Sequence, residues 1–219
     1  MTDHALPRIA PEKKDIPPRD RILVAAERLF ASKGLHGAGL REIARQAEVN
    51  VNLIGYHFNN KEELYLQVHH TRALQINTMR EVLLEDLDHR YSPGTPPVQD
   101  IIHAFIHPLF ELKASDPEIW TNFIRSYMRE MGTDIWRTMN ENSLAPVMRR
   151  FSTVLHRSLP AAKRSDIIFI LGMAIHSSVM ATDPDEAAMV GKSLADDLSP
   201  DELEVRLIRS LTAAALQFS

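Results

Sequence analysis

Six positions between Val51 and His57 carry the chemistry most worth locating. If Ile54 and Phe58, four residues apart, turn inward on a helix, Val51, Asn52, Leu53, Gly55, Tyr56 and His57 are left outside. An outward carboxamide such as Asn52 can hold a base edge with two hydrogen bonds, adenine by preference. An apolar Val51 or Leu53 can pack on a thymine methyl group. This is the chemistry of reading double-stranded DNA, provided that the surrounding chain can present a helix to the major groove.

The flanking residues supply the elements that would do so. Leu40, Ile43, Ala44 and Ala47 recur at helical spacing, which gives one apolar face and turns Arg41, Glu42 and Arg45 outward. Glu48-Val49-Asn50 reads as a turn, with Asn50 placed to cap the helix that follows. Asn60-Lys61-Glu62-Glu63 repeats the logic, Glu63 standing where a capping box needs it. Two short helices joined by a turn of about three residues, the second with an exposed face, make a helix-turn-helix.

Charge supports that division of labour. The 219 residues carry a net charge of −4, yet Arg19–Lys61 holds seven basic and four acidic residues, a local +3. The chain from Thr71 onward holds fifteen basic and twenty acidic residues, a body that disfavours non-specific wrapping of DNA. There are no cysteines, which excludes disulfides, thiolate metal sites and thiol catalysis. The N-terminus lacks the apolar region of a signal peptide, and no run approaches ~18 apolar residues. The expectation is a cytoplasmic protein with no membrane partner.

Residues 20–66 resemble the DNA-binding domain of the tetracycline-repressor (TetR) family of bacterial regulators. Ile22, Ala25, Ala26, Leu29, Phe30, Gly34, Ile43, Ala44, Ala47, Val49, Ile54, Tyr56, His57, Phe58, Lys61 and Leu64 carry the resemblance, over about a fifth of the chain. Gly39 and Gly55 depart from it: members often have Thr at the first position and a large residue at the second. Gly is an acceptable N-cap, whereas Gly55 lowers helix propensity by roughly 1 kcal/mol against Ala. The resemblance implies that Val51, Asn52, Leu53, Tyr56 and His57 occupy positions that reach bases or backbone. Tyr56, His57 and Lys61 then suit phosphates, and Arg41 with the N–H groups near Gly39 suits the backbone on the other side.

The rest of the chain reads as helical throughout. Residues 1–18, with Pro7, Pro11, Pro17 and Pro18, read as a flexible arm, 19–66 as the DNA-binding domain, and 67–219 as an effector-binding and dimerisation domain. A first helix is expected from Arg19 to Lys33, ending at Gly34, and a long one from Lys61 to about His89. Further helices begin near Val98, Asp116 and Thr133, with Pro146 interrupting the last of these. An apolar helix over Asp166–Ala181 ends at Asp183-Pro184-Asp185, and Ser199-Pro200-Asp201-Glu202 opens the final one. The fold class is all-α: a three-helix head, then a helical bundle, about nine helices in all.

The family resemblance implies a homodimer through the last two long helices. The small residues Gly172, Ala174, Ser177, Ser178 and Ala181, and the stripe Leu203, Leu207, Leu211, Ala214 or Ala215, suit close helix packing there. Phe105, Trp120, Phe123, Tyr127, Trp136 and His176 are candidates for lining an effector site; the same residues at helical spacing equally describe a closed core. The segments Phe123–Arg129 and Leu159–Gly172 faintly resemble C-terminal domains of regulators of fatty-acid and related lipid metabolism, which implies an acyl or acyl-CoA-type effector.

Other chemistries find little footing. His103 and His107 have the spacing of a two-histidine metal site, but no carboxylate adjoins them in sequence and Pro108 follows directly; no metal or other cofactor is expected. His69 and His70 are adjacent, so their rings diverge on a helix. Gly-rich phosphate loops, nucleophile elbows and paired acids are absent, so no enzyme is expected. The reading is a homodimeric repressor released from a pseudo-palindromic operator by a small effector. The alternative is a DNA-binding regulator without one, controlled by a protein partner or by its own concentration.

Overall fold

The computed structural model describes residues 16–182 and 198–219. Among these residues the secondary structure is helical, without strands. The α-helices are α1 Pro18–Gly37, α2 Leu40–Gln46, α3 Asn52–Phe58, α4 Lys61–Tyr91, α5 Val98–Ser115, α6 Pro117–Arg129, α7 Asp134–Met139, α8 Ala145–Ser158, α9 Arg164–Thr182 and α10 Pro200–Ala215. A π-helical turn, Asn140–Leu144, joins α7 to α8 without a break, so the described residues form nine continuous helical stretches. The chain divides into two compact units, Met1–Val68 and His69–Ser219. The expected arm lies, as far as residue 15, outside the described residues, and so does the expected stop at Asp183-Pro184-Asp185.

In the first unit the apolar faces predicted from spacing converge. Ile22, Ala26, Phe30, Ile43, Ile54 and Leu64 are buried, and the Phe30 and Tyr65 rings meet edge to face at 4.8 Å. Helix α1 breaks at the expected glycine. Gly34 takes φ 70°, ψ 176°, which breaks the helix, but the chain turns once more before Gly37. A left-handed φ at this point suits glycine, which has no Cβ to clash.

In the second unit α4, α5, α8, α9 and α10 enclose one core that includes Leu84, Ile102, Phe105, Phe151, Leu171 and Ile208. A smaller cluster gathers Ile76, Leu109, Trp120, Ile124 and Val179. Local signals set the ends of these helices. Asp116 accepts a hydrogen bond from the Ile119 N–H, and Ser199 with Glu202 closes a full capping box. Pro146 sits in the first turn of α8, where its missing N–H is harmless, and the π-helical turn takes up the irregularity ahead of it.

One expectation needs correction here. Ala174, Ser178, Leu211 and Ala215, assigned to subunit contact, lie in this unit's own core, each no more than 3% exposed. The large apolar residues that α9 and α10 do expose are Ile168, Phe169, Met180 and Val205. Among the described residues α9 is long and apolar enough to cross a membrane, although its inner face, with Ile167, Ile170, Leu171 and Ala174, packs into protein.

One buried group gives this unit a pH dependence. His69 Nε2 lies 3.0 Å from Ser126 Oγ, and burial pushes its pKa down to about 4. The unfolded chain takes up that proton near pH 6.5 and the folded chain only near pH 4. Stability from the neutral imidazole is therefore complete above about pH 6.5 and falls away as pH drops toward 4, by about 3 kcal/mol. Denaturant unfolding at pH 7.5 and pH 4.5 should register most of this loss, and His69→Gln should flatten the difference. An unchanged pH difference in the variant would assign it to other groups.

Candidate nucleic-acid interface and C-terminal cavities

Helix α3 is too short to be stable by itself, and its two ends explain its position. Glu48 (φ 55°) and Asn59 (φ 58°) both adopt left-handed backbone, turning the chain sharply before and after the helix. The Asn50 side chain accepts the Asn52 N–H at 2.9 Å, as the cap reading requires. At the far end Asn60 Oδ1 accepts the Glu63 N–H at 2.8 Å, while Asn59 and Asn60 side chains both donate to the Glu63 carboxylate. Ile54 and Phe58 anchor the inner face, and the Arg19 guanidinium covers the Phe58 ring.

What this leaves outside is specific. Tyr56 is 80% exposed, and Val51 and Asn52 are exposed with it, while Leu53 and His57 are half-buried. The Tyr56 and His57 rings meet at 5.1 Å, so the two polar tips share one edge of the helix. Arg41 is exposed in the first turn of α2, whose N-terminus at Gly39 has no side-chain cap. Lys61 is held: its Nζ donates to the carbonyls of His36 and Ala38, each at 3.3 Å. Its third N–H could still meet a phosphate. Lys33 is spent on Glu42 at 2.7 Å, which leaves Arg41 and Arg45 as the outward cations of this stretch.

Gly55 lies on the exposed face, and an added Cβ would meet nothing within 4 Å. Gly55→Ala is therefore expected to stabilise the protein by about 1 kcal/mol and raise Tm by roughly 2–4 °C. Operator affinity should change less than about threefold. A tenfold loss, read by fluorescence anisotropy, would mean that the missing Cβ lets DNA approach closely.

In the second unit a cavity of about 880 Å³ opens among α6, α7, α8 and α9. Tyr127, Trp136, Met148, Ile168, Leu171 and Ile175 supply apolar wall, and Arg149, His156, Arg157, Arg164 and His176 supply basic rim. A smaller cavity of about 80 Å³ lies deeper, between α4, α5, α6 and α9. Tyr127, Leu144, Ile175 and Val179 line both. Of the six residues proposed from sequence, Tyr127, Trp136 and His176 line the larger cavity and Phe123 and Tyr127 the smaller. Phe105 and Trp120 line neither; they are core residues, 0% and 2% exposed.

Arg80 is the residue that sequence reasoning missed. It is 6% exposed, lines the deeper cavity, and burial pushes its pKa down to about 10, so it remains charged at neutral pH. Its Nε donates to the Phe105 carbonyl at 2.7 Å and its Nη1 to Asn77 Oδ1 at 3.2 Å, while the guanidinium lies 4.4 Å from the Phe105 ring centre. No carboxylate forms an ion pair with it among the described residues. A buried cation without an anion is costly. Nearby, the Tyr127 hydroxyl donates to Asn140 Oδ1 at 2.7 Å, and burial raises its pKa. The sequence did hold a signal: Arg80 falls in phase with Ile76, Leu84 and Leu87 on the buried stripe of α4.

Comparison with known proteins accords with both units. The model of the bacterial regulatory proteins of the tetR family matches residues 22–68, and that of the tetracyclin repressor-like C-terminal domain matches residues 103–214. The HTH-type transcriptional activator FasR of Mycolicibacterium smegmatis is 38% identical over 74 residues, 33% of this chain and 33% of that protein. The chain thus aligns with a third or less of the length of its curated relatives. Among solved structures, the fatty acid degradation regulator FadR of Bacillus halodurans is 16% identical, covers 88% of this chain and 97% of its own, and has a TM-score of 0.63. A TetR-like transcriptional regulator of Rhodococcus sp. RHA1 is 18% identical over 93% of this chain and 100% of its own, with a TM-score of 0.55. These two likenesses concern the fold; the matches to family models, which cover the head and more than half of the chain beyond it, establish that this chain belongs to the tetR family of bacterial transcriptional regulators.

Proposed function

We propose that the protein is a cytoplasmic, homodimeric, ligand-responsive repressor that reads a pseudo-palindromic operator through α3. The exposed face of α3 carries this reading: a helix pinned at both ends holds Asn52 and Tyr56 out into solvent, where a folded domain has no use for them. In this reading Asn52, Val51 and Leu53 meet base edges, and Tyr56, His57, Lys61 and Arg41 meet the phosphate backbone. Two copies, joined through the exposed Ile168, Phe169, Met180 and Val205, would place two such helices in successive major grooves.

The effector is an acyl-type amphiphile. The apolar wall around Tyr127 and Trp136 suits its chain, and Arg80 suits an anionic or carbonyl head. The fatty acid degradation regulator among the structural neighbours supports the class. Binding need only favour the form that cannot hold DNA; a differential affinity of about 3 kcal/mol lowers occupancy roughly a hundredfold.

The test is binding of purified protein to its own upstream DNA at two salt concentrations, followed by challenge with fatty acids and acyl-CoA esters. Sequence-specific binding that weakens with salt and is released by one of these compounds is expected. Specific binding that no compound releases would remove the effector from this reading and leave control to a protein partner or to concentration. Stronger binding with the compound would make it a co-repressor. Equal affinity for unrelated DNA at both salt concentrations would sink the operator reading.

A further inference from the structure

On the side of the second unit formed by α5 and α10, three potential metal ligands meet. His103 and His107 are one helical turn apart on α5, and Glu204 comes from α10, 97 residues away from His107. The sequence reading overlooked Glu111, one turn beyond His107 on α5; the fold adds Glu204 from α10. The ligand atoms of the three side chains all lie within 4.8 Å of one another.

Each ring nitrogen of His107 faces a carboxylate: Nδ1 lies 2.8 Å from Glu204 Oε1, in hydrogen-bonding geometry, and Nε2 lies 3.3 Å from Glu111 Oε2. A neutral imidazole has one N–H and one lone pair; with the N–H on the Glu111 side, the Nδ1 lone pair faces Glu204, and a cation between them would satisfy both. The two carboxylates differ. Glu204 is nearly buried, with a side chain 12% exposed, whereas that of Glu111 is 57% exposed. The His103 ring lies beside that of His107, centroids 4.6 Å apart and 16° from parallel, so both imidazoles border the same site.

We propose that His103, His107 and Glu204 form a divalent transition-metal site, with Zn²⁺ the best-suited ion, that clamps α10 to α5. Two imidazoles and one carboxylate are a recognised Zn²⁺ donor set that leaves a coordination position for solvent. Glu111 takes the His107 Nε2–H, which fixes the tautomer and presents Nδ1 to the metal. Bonds of 2.0–2.1 Å in a tetrahedron place donors about 3.3 Å apart, so small side-chain rotations suffice to close the set. A cavity of about 400 Å³, bounded by His103, Asp100, Ala104, Arg90 and Arg209, gives an ion a route to it. Arg90 and Arg209 repel a cation there, so micromolar rather than picomolar affinity is expected, even though Arg90 is bound to Asp86 at 2.7 Å.

The experiment uses tag-free, chelator-treated full-length protein titrated with Co²⁺ and then Zn²⁺. One equivalent of Co²⁺ per chain should produce visible absorption bands of a low-coordinate site, which Zn²⁺ abolishes. Zn²⁺ at a hundredfold excess over its Kd should raise Tm by about 5–10 °C. His103→Gln and Glu204→Gln should each weaken binding more than tenfold, Glu111→Gln about tenfold, and His89→Gln, an exposed residue of α4, not at all. Wild-type protein alone can overturn the proposal: if 1 mM Zn²⁺ leaves Tm unchanged and Co²⁺ gives no bands, the three side chains form a cluster without an ion. Binding undiminished in His103→Gln would overturn it equally, by placing the ion elsewhere.

Discussion

Truncating Tyr56 and Lys61 together to alanine is expected to weaken operator binding by about a hundredfold at physiological salt. Each side chain is assigned one phosphate, and a hydrogen bond to a charged group contributes about 1.5 kcal/mol or more, so the singles should each cost about tenfold. The two singles should differ otherwise. Tyr56 is 80% exposed, and its removal should leave thermal unfolding unchanged. Lys61 also ties the His36 and Ala38 carbonyls to the start of α4, so its removal should cost about 1 kcal/mol of stability as well. Loss of the ammonium should reduce the salt slope of log K by about one; loss of the phenol should not. Anisotropy titrations at four salt concentrations, with parallel melts, separate these effects. Equal affinity of the double variant and the wild type would remove α3 from the DNA interface.

Arg80→Met is expected to lower affinity for an anionic acyl effector by about a hundredfold while a neutral alcohol of the same chain length binds almost as before. The contrast arises because the guanidinium is buried and no carboxylate pairs with it among the described residues, so a carboxylate head would meet a cation already stripped of water. Stability should change little. Methionine fills much of the same volume and removes the desolvation cost of the charge, which offsets the bonds lost to the Phe105 carbonyl and Asn77. Calorimetric titration of both ligands into both proteins tests the head-group specificity, and operator release tests its consequence. If the acid and the alcohol lose affinity equally, Arg80 acts on the shape of the cavity and the head group lies elsewhere.

Local signals carried most of the fold into the sequence. Ser199 and Glu202, Asp116 before Pro117, and Asn50 after Glu48 each mark a boundary with side-chain hydrogen bonds spanning no more than three residues. Such bonds are written in adjacent letters and need no tertiary context. The apolar phase of α1–α3 likewise identified the inner face, and hence the outer one. The features that escaped depend on distant partners. Aromatic residues at helical spacing look the same whether they face a cavity, like Tyr127, or a packed neighbour, like Phe105 against Phe151. Ala174 and Leu211 were small or apolar enough for a subunit contact but are buried within the unit. The approach of Glu204 to His107 spans 97 residues and has no sequence signature at all.

The way α3 is mounted bears on how such a protein can change its target. Its orientation is fixed by Ile54, Phe58, the two left-handed joints at Glu48 and Asn59, and the caps beyond them. None of these residues belongs to the outward set of Val51, Asn52, Leu53, Tyr56 and His57. Frame and text are thus carried by different letters of one short helix. If α3 reads the operator as proposed, exchanges at Val51, Asn52 or Leu53 would redraw the preferred base sequence without moving the helix, so a new operator would lie only a few substitutions away, each of them nearly silent in folding.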